Sequence, residues 1–308
     1  MHNTGDMKRL VLTGLFLISN IIWAGPFEEA VAAYERKDYA TALRLLRPIA
    51  EQGDTAAQDK LGLMYDEGQG VVRDYAEAVK WYRLAADKGN VDSQFNLGAM
   101  YAKGEGVVQD YAEAEKWYRL AAAQADASAQ FNLGVMYDNG QGVVKNYAEA
   151  VRWYTLAAAQ EHASAQVNLG LMYFDGKGVI QDYAVAVKWY RLAAAKGYAG
   201  GQLNLGIMYF EGKGVVQDYA EAAKLFRLAA AQRRAKAQLI LGAMYGIGAG
   251  VPKDYVRAHM WANLAAASGD ADAVKGRDNI ASKMTPKQIG NAQKLARECL
   301  ARNFTGCN

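Results

Sequence analysis

The chain has 308 residues, of which 52% are hydrophobic and 22% are charged, and its formal net charge is +3. This composition excludes a disordered or fibrous chain and is typical of a globular protein. The 35 lysines and arginines nearly balance the 32 aspartates and glutamates and form no basic run, so we expect no nucleic-acid partner.

Residues 1–24 have the pattern of a secretory signal peptide. Lys8 and Arg9 precede an apolar run over residues 10–22, and Ala24 suits cleavage. The run is shorter than the roughly 20 residues that a membrane-spanning helix needs, and no later apolar stretch is long enough. We therefore expect an exported protein, periplasmic or secreted, with no membrane span after signal cleavage. The alternative is that this segment forms a buried N-terminal helix.

Residues 25–53 are predicted to form a pair of helices that caps the N-terminal end of the fold. The phrase Asp38-Tyr39-Ala40 lies one period of 36 residues before Asp74-Tyr75-Ala76, so the segment is in register with the units that come after it in the chain. It lacks the glycine pair of the later units, which makes it a variant terminal unit.

A repeat of 36 residues organises residues 54–269. The phrase Leu-Gly-x-Met-Tyr begins at residues 61, 97, 133, 169, 205 and 241. A second phrase, Trp-Tyr-x-Leu-Ala-Ala or a variant of it, begins at residues 81, 117, 153, 189, 225 and 261. A Gly-x-Gly pair and Asp-Tyr or Asn-Tyr lie between the two phrases in every unit. The spacing therefore predicts six units of identical construction.

Each unit is predicted to be two helices. In the second helix the apolar residues recur at three- and four-residue spacing, Asp74 is placed to cap its start, and Glu77 stands at capping-box spacing. The first helix carries Gly62 in its interior, where glycine costs about 1 kcal/mol relative to alanine. A glycine at this position in all six units indicates close approach of the partner helix. The Gly-x-Gly pairs are interpreted as helix ends and turns, because a phosphate loop would need a preceding strand.

A helical pair cannot cover its own apolar face, so neighbouring units must stack. The sequence thus predicts an all-α fold, a right-handed superhelical α-solenoid with terminal caps. Residues 270–308 lose the repeat and are predicted to be C-terminal capping helices. In an exported chain, Cys299 and Cys307 are most simply a disulfide, and the alternative is two free thiols. We expect no metal site, because the histidines lie far from this pair in sequence.

The 36-residue pattern, which can be followed from Asp126 to Tyr154, resembles the Sel1-like repeat family, a relative of tetratricopeptide repeats, over residues 54–269. Residues 26–53 look more like an ordinary tetratricopeptide unit. The resemblance implies an α-solenoid that holds other proteins, with no cofactor, and it does not name the partner.

Four asparagines recur one residue before the core leucine of successive units: Asn96, Asn132, Asn168 and Asn204. This position lies on the flank of the first helix, which faces the concave side in tetratricopeptide-like stacks. The resemblance implies a ladder that binds the backbone of an extended peptide, since an amide offers both donors and an acceptor. Alternatively, the amides join neighbouring repeats. Lys60 and Ile240 end the ladder.

Phe174 and Phe210 follow the repeated tyrosine in the fourth and fifth units and are the second candidate for partner contact. The alternative is that they extend the core.

We expect no catalytic residues. None of the six serines begins Ser-x-x-Lys, no Gly-x-Ser-x-Gly occurs, and neither His162 nor His259 has the context of a zinc helix. The favoured function is a non-catalytic scaffold for a protein or peptide. An envelope hydrolase of β-lactamase or penicillin-binding type and a glycan-binding module remain as alternatives.

Overall fold

The computed structural model describes residues 25–267 and 269–307, which form sixteen α-helices and no strand. The predicted signal peptide, residues 1–24, lies outside the described residues. The helices are α1 (Pro26–Glu35), α2 (Tyr39–Glu51), α3 (Thr55–Glu67), α4 (Tyr75–Ala86), α5 (Val91–Lys103), α6 (Tyr111–Ala123), α7 (Ala127–Asn139), α8 (Tyr147–Ala159), α9 (Ala163–Asp175), α10 (Tyr183–Ala195), α11 (Ala199–Glu211), α12 (Tyr219–Ala231), α13 (Ala235–Ile247), α14 (Tyr255–Ala266), α15 (Ala271–Ala281) and α16 (Pro286–Ala301).

Each 36-residue unit is the predicted pair of helices, from α3 and α4 to α13 and α14. Asp74 caps α4 by accepting from the backbone N–H groups of Ala76 and Glu77, as expected from its position. The capping box expected with Glu77 is not formed, because the Glu77 carboxylate accepts from Lys80 at 3.4 Å. A capping box does occur at the start of α16.

The interior glycine of each first helix lies against the second helix of the same unit, as predicted. A Cβ on Gly134 would be 2.5 Å from the ring of Tyr154, well inside van der Waals contact. Gly62, Gly98, Gly170 and Gly206 meet the equivalent tyrosine or phenylalanine ring. Only glycine, which has no Cβ, leaves enough space for these buried rings.

The Gly-x-Gly pairs end the first helices and join neighbouring units. Gly104 closes α5 in the left-handed conformation, with φ of +75°, which favours glycine. A Cβ on Gly106 would be 2.3 Å from the carbonyl oxygen of Tyr75 in the preceding unit. The turn interpretation is therefore confirmed, and the second glycine has the additional role of packing one unit against the next.

The units stack in chain order and bury the repeated aromatic residues between them. Trp81 and Trp153 are 6% exposed and Trp261 is 1% exposed, while Trp117 and Trp189 are half-buried. Each second helix packs on the first helix of the next unit, for example α4 on α5 and α8 on α9. This serial packing is the predicted α-solenoid.

A buried glutamine forms a hydrogen bond across the seam to the preceding helix pair in five of the six units. Gln130 is 4% exposed and donates to the carbonyl oxygen of Ala122 at 3.3 Å, near the end of α6. Its own side-chain oxygen accepts from Gln160. Equivalent donations to the preceding helix are made by Gln58, Gln94, Gln166 and Gln238. These bonds satisfy the buried side-chain amides. Each accepting carbonyl also accepts from a backbone N–H, as Ala122 does from Ala125, so the glutamine is its second donor.

A second set of bonds crosses the seams nearer the surface. Arg119 donates to the Tyr137 hydroxyl at 2.8 Å, from α6 to α7 of the next unit. The same contact joins Arg47 to Tyr65, Arg83 to Tyr101, Arg191 to Tyr209 and Arg227 to Tyr245. At the seam between α8 and α9 the arginine is replaced by Thr155, whose hydroxyl donates to Val151 of its own helix. The series is interrupted at that seam.

The C-terminal segment covers the last unit. Helix α16 packs on α14, and Cys299 and Cys307 form the predicted disulfide. The disulfide closes a short loop that includes Phe304, which is 6% exposed and belongs to the same core cluster as Trp261. Arg233 donates to Asn303 at 2.9 Å and ties this tail to the preceding unit. None of the helices in the described ranges has the length and apolar character needed to cross a membrane.

Candidate functional site

The first helices of the units lie on the inner side of the curved stack. Neighbouring first helices contact one another, as α9 does with α11 and α3 with α5. Within residues 25–267, neighbouring second helices make no comparable contact. The stack therefore curves towards the first helices, and their inward-facing side chains line the concave surface, here called the groove.

All four asparagines are half-buried on consecutive first helices, α5, α7, α9 and α11. The Asn132 amide lies beside the Tyr118 hydroxyl of the preceding unit, and the Asn168 amide lies beside the Tyr154 hydroxyl. Burial raises the pKa of Tyr118 to about 12, and the amide opposes that rise. Two of the four amides thus interact with a neighbouring unit, but the deeply buried glutamines provide the more extensive joints.

The N-terminal half of the groove contains a cavity of about 480 Å³, here called the polar cavity. Its wall includes two amides of the asparagine series, Asn96 and Asn132, together with Asp66, Lys103 and Glu105. Lys103 and Glu105 form an ion pair at 3.3 Å. The cavity therefore presents both donors and acceptors to a ligand.

Asp66 is the carboxylate of the polar cavity without a salt bridge among the described residues. Burial raises the pKa of Asp66, with a further rise from the negative charges of Glu105 and Glu67, and Lys103 opposes it. The Tyr82 hydroxyl donates to it over a long 3.5 Å. A donor or cation on a bound partner would stabilise the ionised form of this group.

The C-terminal half of the groove contains a cavity of about 430 Å³, here called the apolar cavity. It lies between α9, α11 and α13. Its wall carries the side chains of Leu171, Phe174, Ile207, Phe210 and Ile240, with polar groups from Asn204, Glu211 and Lys236. This combination of an apolar wall with a few polar groups is common in ligand pockets.

Both candidate phenylalanines lie in the last turns of first helices and are half-buried rather than fully exposed. Phe174 packs on Tyr183 and Phe210 packs on Tyr219, each with ring centroids 5.2 Å apart. One side of each ring therefore supports the fold of its unit, while both rings still contribute to the wall of the apolar cavity.

The structure groups the candidate residues into two sets. Asn96 and Asn132 share the polar cavity, and Asn204 shares the apolar cavity with Phe174 and Phe210. Asn168 lies on α9, between them in chain order. The candidate site therefore consists of two cavities beside the first helices that differ in chemistry, and Asn168 is in the wall of neither.

The two histidines of the described residues have structural roles. His162 caps α9 by accepting from the Ala165 N–H at 3.2 Å, and it stacks on Phe131. His259 is 3% exposed in α14, and burial lowers its pKa, as it does for His162. Neither imidazole lies in the wall of the two cavities.

Sequence reasoning missed several residues of the apolar cavity, namely Leu171, Ile207 and Lys236. For Leu171 and Ile207 a partial signal was present in the aligned units, because this position reads leucine, alanine, valine, leucine, isoleucine and alanine from the first unit to the sixth. Large apolar residues at this position coincide with Phe174 and Phe210 only in the fourth and fifth units.

The chain belongs to the Sel1 repeat family. The family model matches seven segments: residues 33–54, 55–90, 91–126, 127–162, 163–198, 199–233 and 235–270. The first match overlaps the terminal pair that we interpreted as tetratricopeptide-like, and the other six are the predicted units. Proteins of this family are generally non-catalytic scaffolds for interactions with other proteins.

A solved structure of another Sel1 repeat protein has the same fold. A Sel1 repeat protein from Oxalobacter formigenes is 34% identical, with a TM-score of 0.72, over 78% of this chain and 96% of that one. The chain is also similar to c5321, a protective antigen of uropathogenic Escherichia coli with an SLR fold, at 27% identity and a TM-score of 0.49 over 92% of this chain and 85% of that one. A search of curated protein sequences gave no match.

Proposed function

We propose that this protein is an exported, non-catalytic scaffold that binds an extended segment of a partner protein in its concave groove. The observation that carries the proposal is the groove itself, in which half-buried amides recur on four consecutive first helices and lead from the polar cavity to the apolar cavity.

The chemistry of the amides suits the backbone of a peptide. An amide both donates and accepts hydrogen bonds, so a row of amides binds peptide groups whatever the side chains of the partner are. Neighbouring packed helices are about 8–10 Å apart. A strand advances about 6.6–7 Å for every two residues. We therefore expect the four amides to contact a segment at intervals of two to three residues.

The asparagines are a minor part of the joints between units, to which Asn132 and Asn168 contribute one tyrosine contact each. The buried glutamines and the arginine–tyrosine pairs already cross the seams, as at Gln130 and Arg119. The asparagines are half-buried, so part of each side chain remains accessible to a ligand. This division of roles supports a binding function for the amides.

Export is proposed from the pattern of residues 1–24 and is compatible with the disulfide between Cys299 and Cys307. The partner is then expected in the periplasm or outside the cell. Expression of the full chain, followed by fractionation and N-terminal sequencing, should give a mature protein that starts at Gly25. An uncleaved cytosolic product would contradict this part of the proposal.

The test of binding begins with selection of displayed random peptides on residues 25–308. The affinities of the selected peptides are then measured by fluorescence anisotropy for the wild type and for a triple alanine variant of Asn132, Asn168 and Asn204. Three lost hydrogen bonds of about 1 kcal/mol each correspond to a weakening of up to about 100-fold. We expect the variant to remain folded, with only a modest loss of thermal stability from the lost contacts of Asn132 with Tyr118 and of Asn168 with Tyr154.

A matched control replaces three leucines on the opposite face by alanine, Leu120, Leu156 and Leu192, which are 42–50% exposed on second helices. This control should bind the peptides as the wild type does. A triple asparagine variant that loses stability but keeps its affinity would show that the amides are structural, and the proposed groove function would be wrong.

A further inference from the structure

The apolar cavity differs from the rest of the groove in the size of its wall residues. Two positions of the repeat face the apolar cavity. In α9 they are occupied by Leu171 and Phe174, and in α11 by Ile207 and Phe210. The corresponding residues in α5 are Ala99 and Ala102, which line the polar cavity. At these two positions the C-terminal half of the groove therefore offers the larger apolar side chains, although Phe95 and Val135 also line the polar cavity.

The charges beside this wall are unequal. Glu211 is neutralised by Lys213, whose ammonium lies 2.8 Å from its carboxylate. Lys236 in the first turn of α13 is exposed and has no carboxylate partner among the described residues. Within the wall of the apolar cavity the unpaired charge is thus the ammonium of Lys236, while Asp270 and Asp272 line the adjacent cavity on the other side of that residue.

We propose that the apolar cavity is the anchoring subsite of the groove, and that it takes a bulky aliphatic or aromatic side chain of an extended peptide segment that carries a carboxylate close to that residue. The carboxylate faces Lys236. This inference rests on the proposed function, because it specifies which peptide the groove prefers.

A peptide fits these observations because three kinds of contact converge on one short segment. The apolar wall takes the side chain, the Asn204 amide is placed to bond the backbone beside it, and the Lys236 ammonium meets the acidic group. The cavity volume of about 430 Å³ lies within the usual range of about 300–1,000 Å³ for pockets that bury a ligand. Buried anchors of this kind dominate the energy of many interfaces.

The other end of the groove gives the segment a direction. The unpaired charge of the polar cavity is the Asp66 carboxylate, which favours a donor or a basic residue on the partner. Asp66 lies on α3 and Phe210 on α11, so the two ends are four helix steps apart, about 32–40 Å or about 10–12 residues of extended chain. The preferred segment therefore has a basic or donor residue about that far from its acidic and apolar end.

The experiment uses the same display selection on residues 25–308, with random segments of twelve residues, and examines which residues are enriched. We expect a leucine, isoleucine, phenylalanine or tryptophan next to an aspartate or glutamate. The Lys236→Glu variant should bind the selected peptides about threefold to fivefold more weakly, as for a partly exposed ion pair. It should also favour peptides whose acidic residue is replaced by lysine.

The control is Lys188→Glu, which makes the same charge change at an exposed position of α10 on the second-helix side. It should leave affinity unchanged. Phe210→Ala tests the wall and should weaken binding at least tenfold, and a thermal melt shows whether that variant remains folded. Lys236→Glu provides the test that does not depend on repacking.

The outcomes separate this inference from the proposed function. One result would contradict the anchoring subsite alone. In that result the selected peptides bind through the asparagines but show no apolar and acidic pattern, and they bind equally well to Lys236→Glu and Lys188→Glu. Selection that yields no binding peptide at all would contradict both the groove function and the subsite.

Discussion

Replacing Gly134 with alanine should destabilise the protein although alanine is the better helix former. A Cβ at this position would lie 2.5 Å from two carbon atoms of the Tyr154 ring, which is 1% exposed and has no free space to move into. Overpacking of this kind costs about 1–3 kcal/mol, and two contacts this short place the cost near the upper value. The gain in helix propensity is about 1 kcal/mol.

The net loss in the free energy of unfolding should therefore be about 2 kcal/mol. It can be measured by urea unfolding followed by far-ultraviolet circular dichroism. The matched control is Gly290→Ala in α16, where no atom lies within 4 Å of the added Cβ, and it should stabilise by up to about 1 kcal/mol.

A second variant identifies the cause of the loss. If the ring of Tyr154 is responsible, then the cost of Gly134→Ala should largely disappear in a protein that already carries Tyr154→Ala, because the added methyl group then enters the space left by the ring. A Gly134→Ala protein as stable as the wild type, or equal costs in both backgrounds, would refute the close-packing explanation of the repeated glycine.

Three further predictions concern the seams and the C-terminal cap. Thr155→Arg should restore the missing bond to Tyr173 and raise the urea midpoint, with a gain of about 0.5–1 kcal/mol; an unchanged midpoint would contradict the role of these pairs. Removing the bridge with Cys299→Ser and Cys307→Ser should cost the cap about 2.5 kcal/mol, as expected for a short loop, and increase hydrogen exchange in α16; unchanged exchange would show that the bridge does not hold the cap. Burial lowers the pKa of His259, so the unfolded chain takes up a proton more readily than the folded one. The free energy of unfolding should therefore keep its full value above the ordinary histidine pKa of about 6.5 and fall as the pH drops below it. His259→Val should reduce this acid sensitivity in thermal melts, and an identical pH profile would contradict it.

The period of 36 residues was sufficient to predict the helical pairs, the stacking and the role of the glycines. It did not show that the ring of Tyr154, rather than helix backbone, is what Gly134 contacts, because that depends on the register between two helices. In the sixth unit the contact is in fact with backbone, since a Cβ on Gly242 would lie 2.9 Å from the carbonyl oxygen of Ala258.

The seam bonds were harder to predict. A glutamine occupies the position of Gln130 in every unit. Because glutamine is usually exposed, the burial of Gln130 and its bond to the Ala122 carbonyl could not be inferred from the sequence. Arg119 and Tyr137 are 18 residues apart and meet only because consecutive units stack. Such contacts depend on the tertiary geometry and not on local pattern.

The asparagine series was visible in the sequence, whereas the difference between the two cavities was not. Cavity walls combine residues from three helices, as when Leu171, Ile207 and Ile240 face the same space. The sequence shows that each of them is apolar. Only the spacing between the helices shows that they enclose a volume large enough for a ligand.

The most direct test of the groove function is to find which face of the solenoid contacts a bound peptide. A photoreactive residue is introduced at position 168 of one variant, in place of Asn168 on the concave side, and at position 188 of another, in place of Lys188. Each is irradiated with a selected peptide, and adducts are counted by mass spectrometry. We predict adducts at position 168 and none above background at position 188; adducts at position 188 with none at position 168 would contradict the concave groove as the binding site.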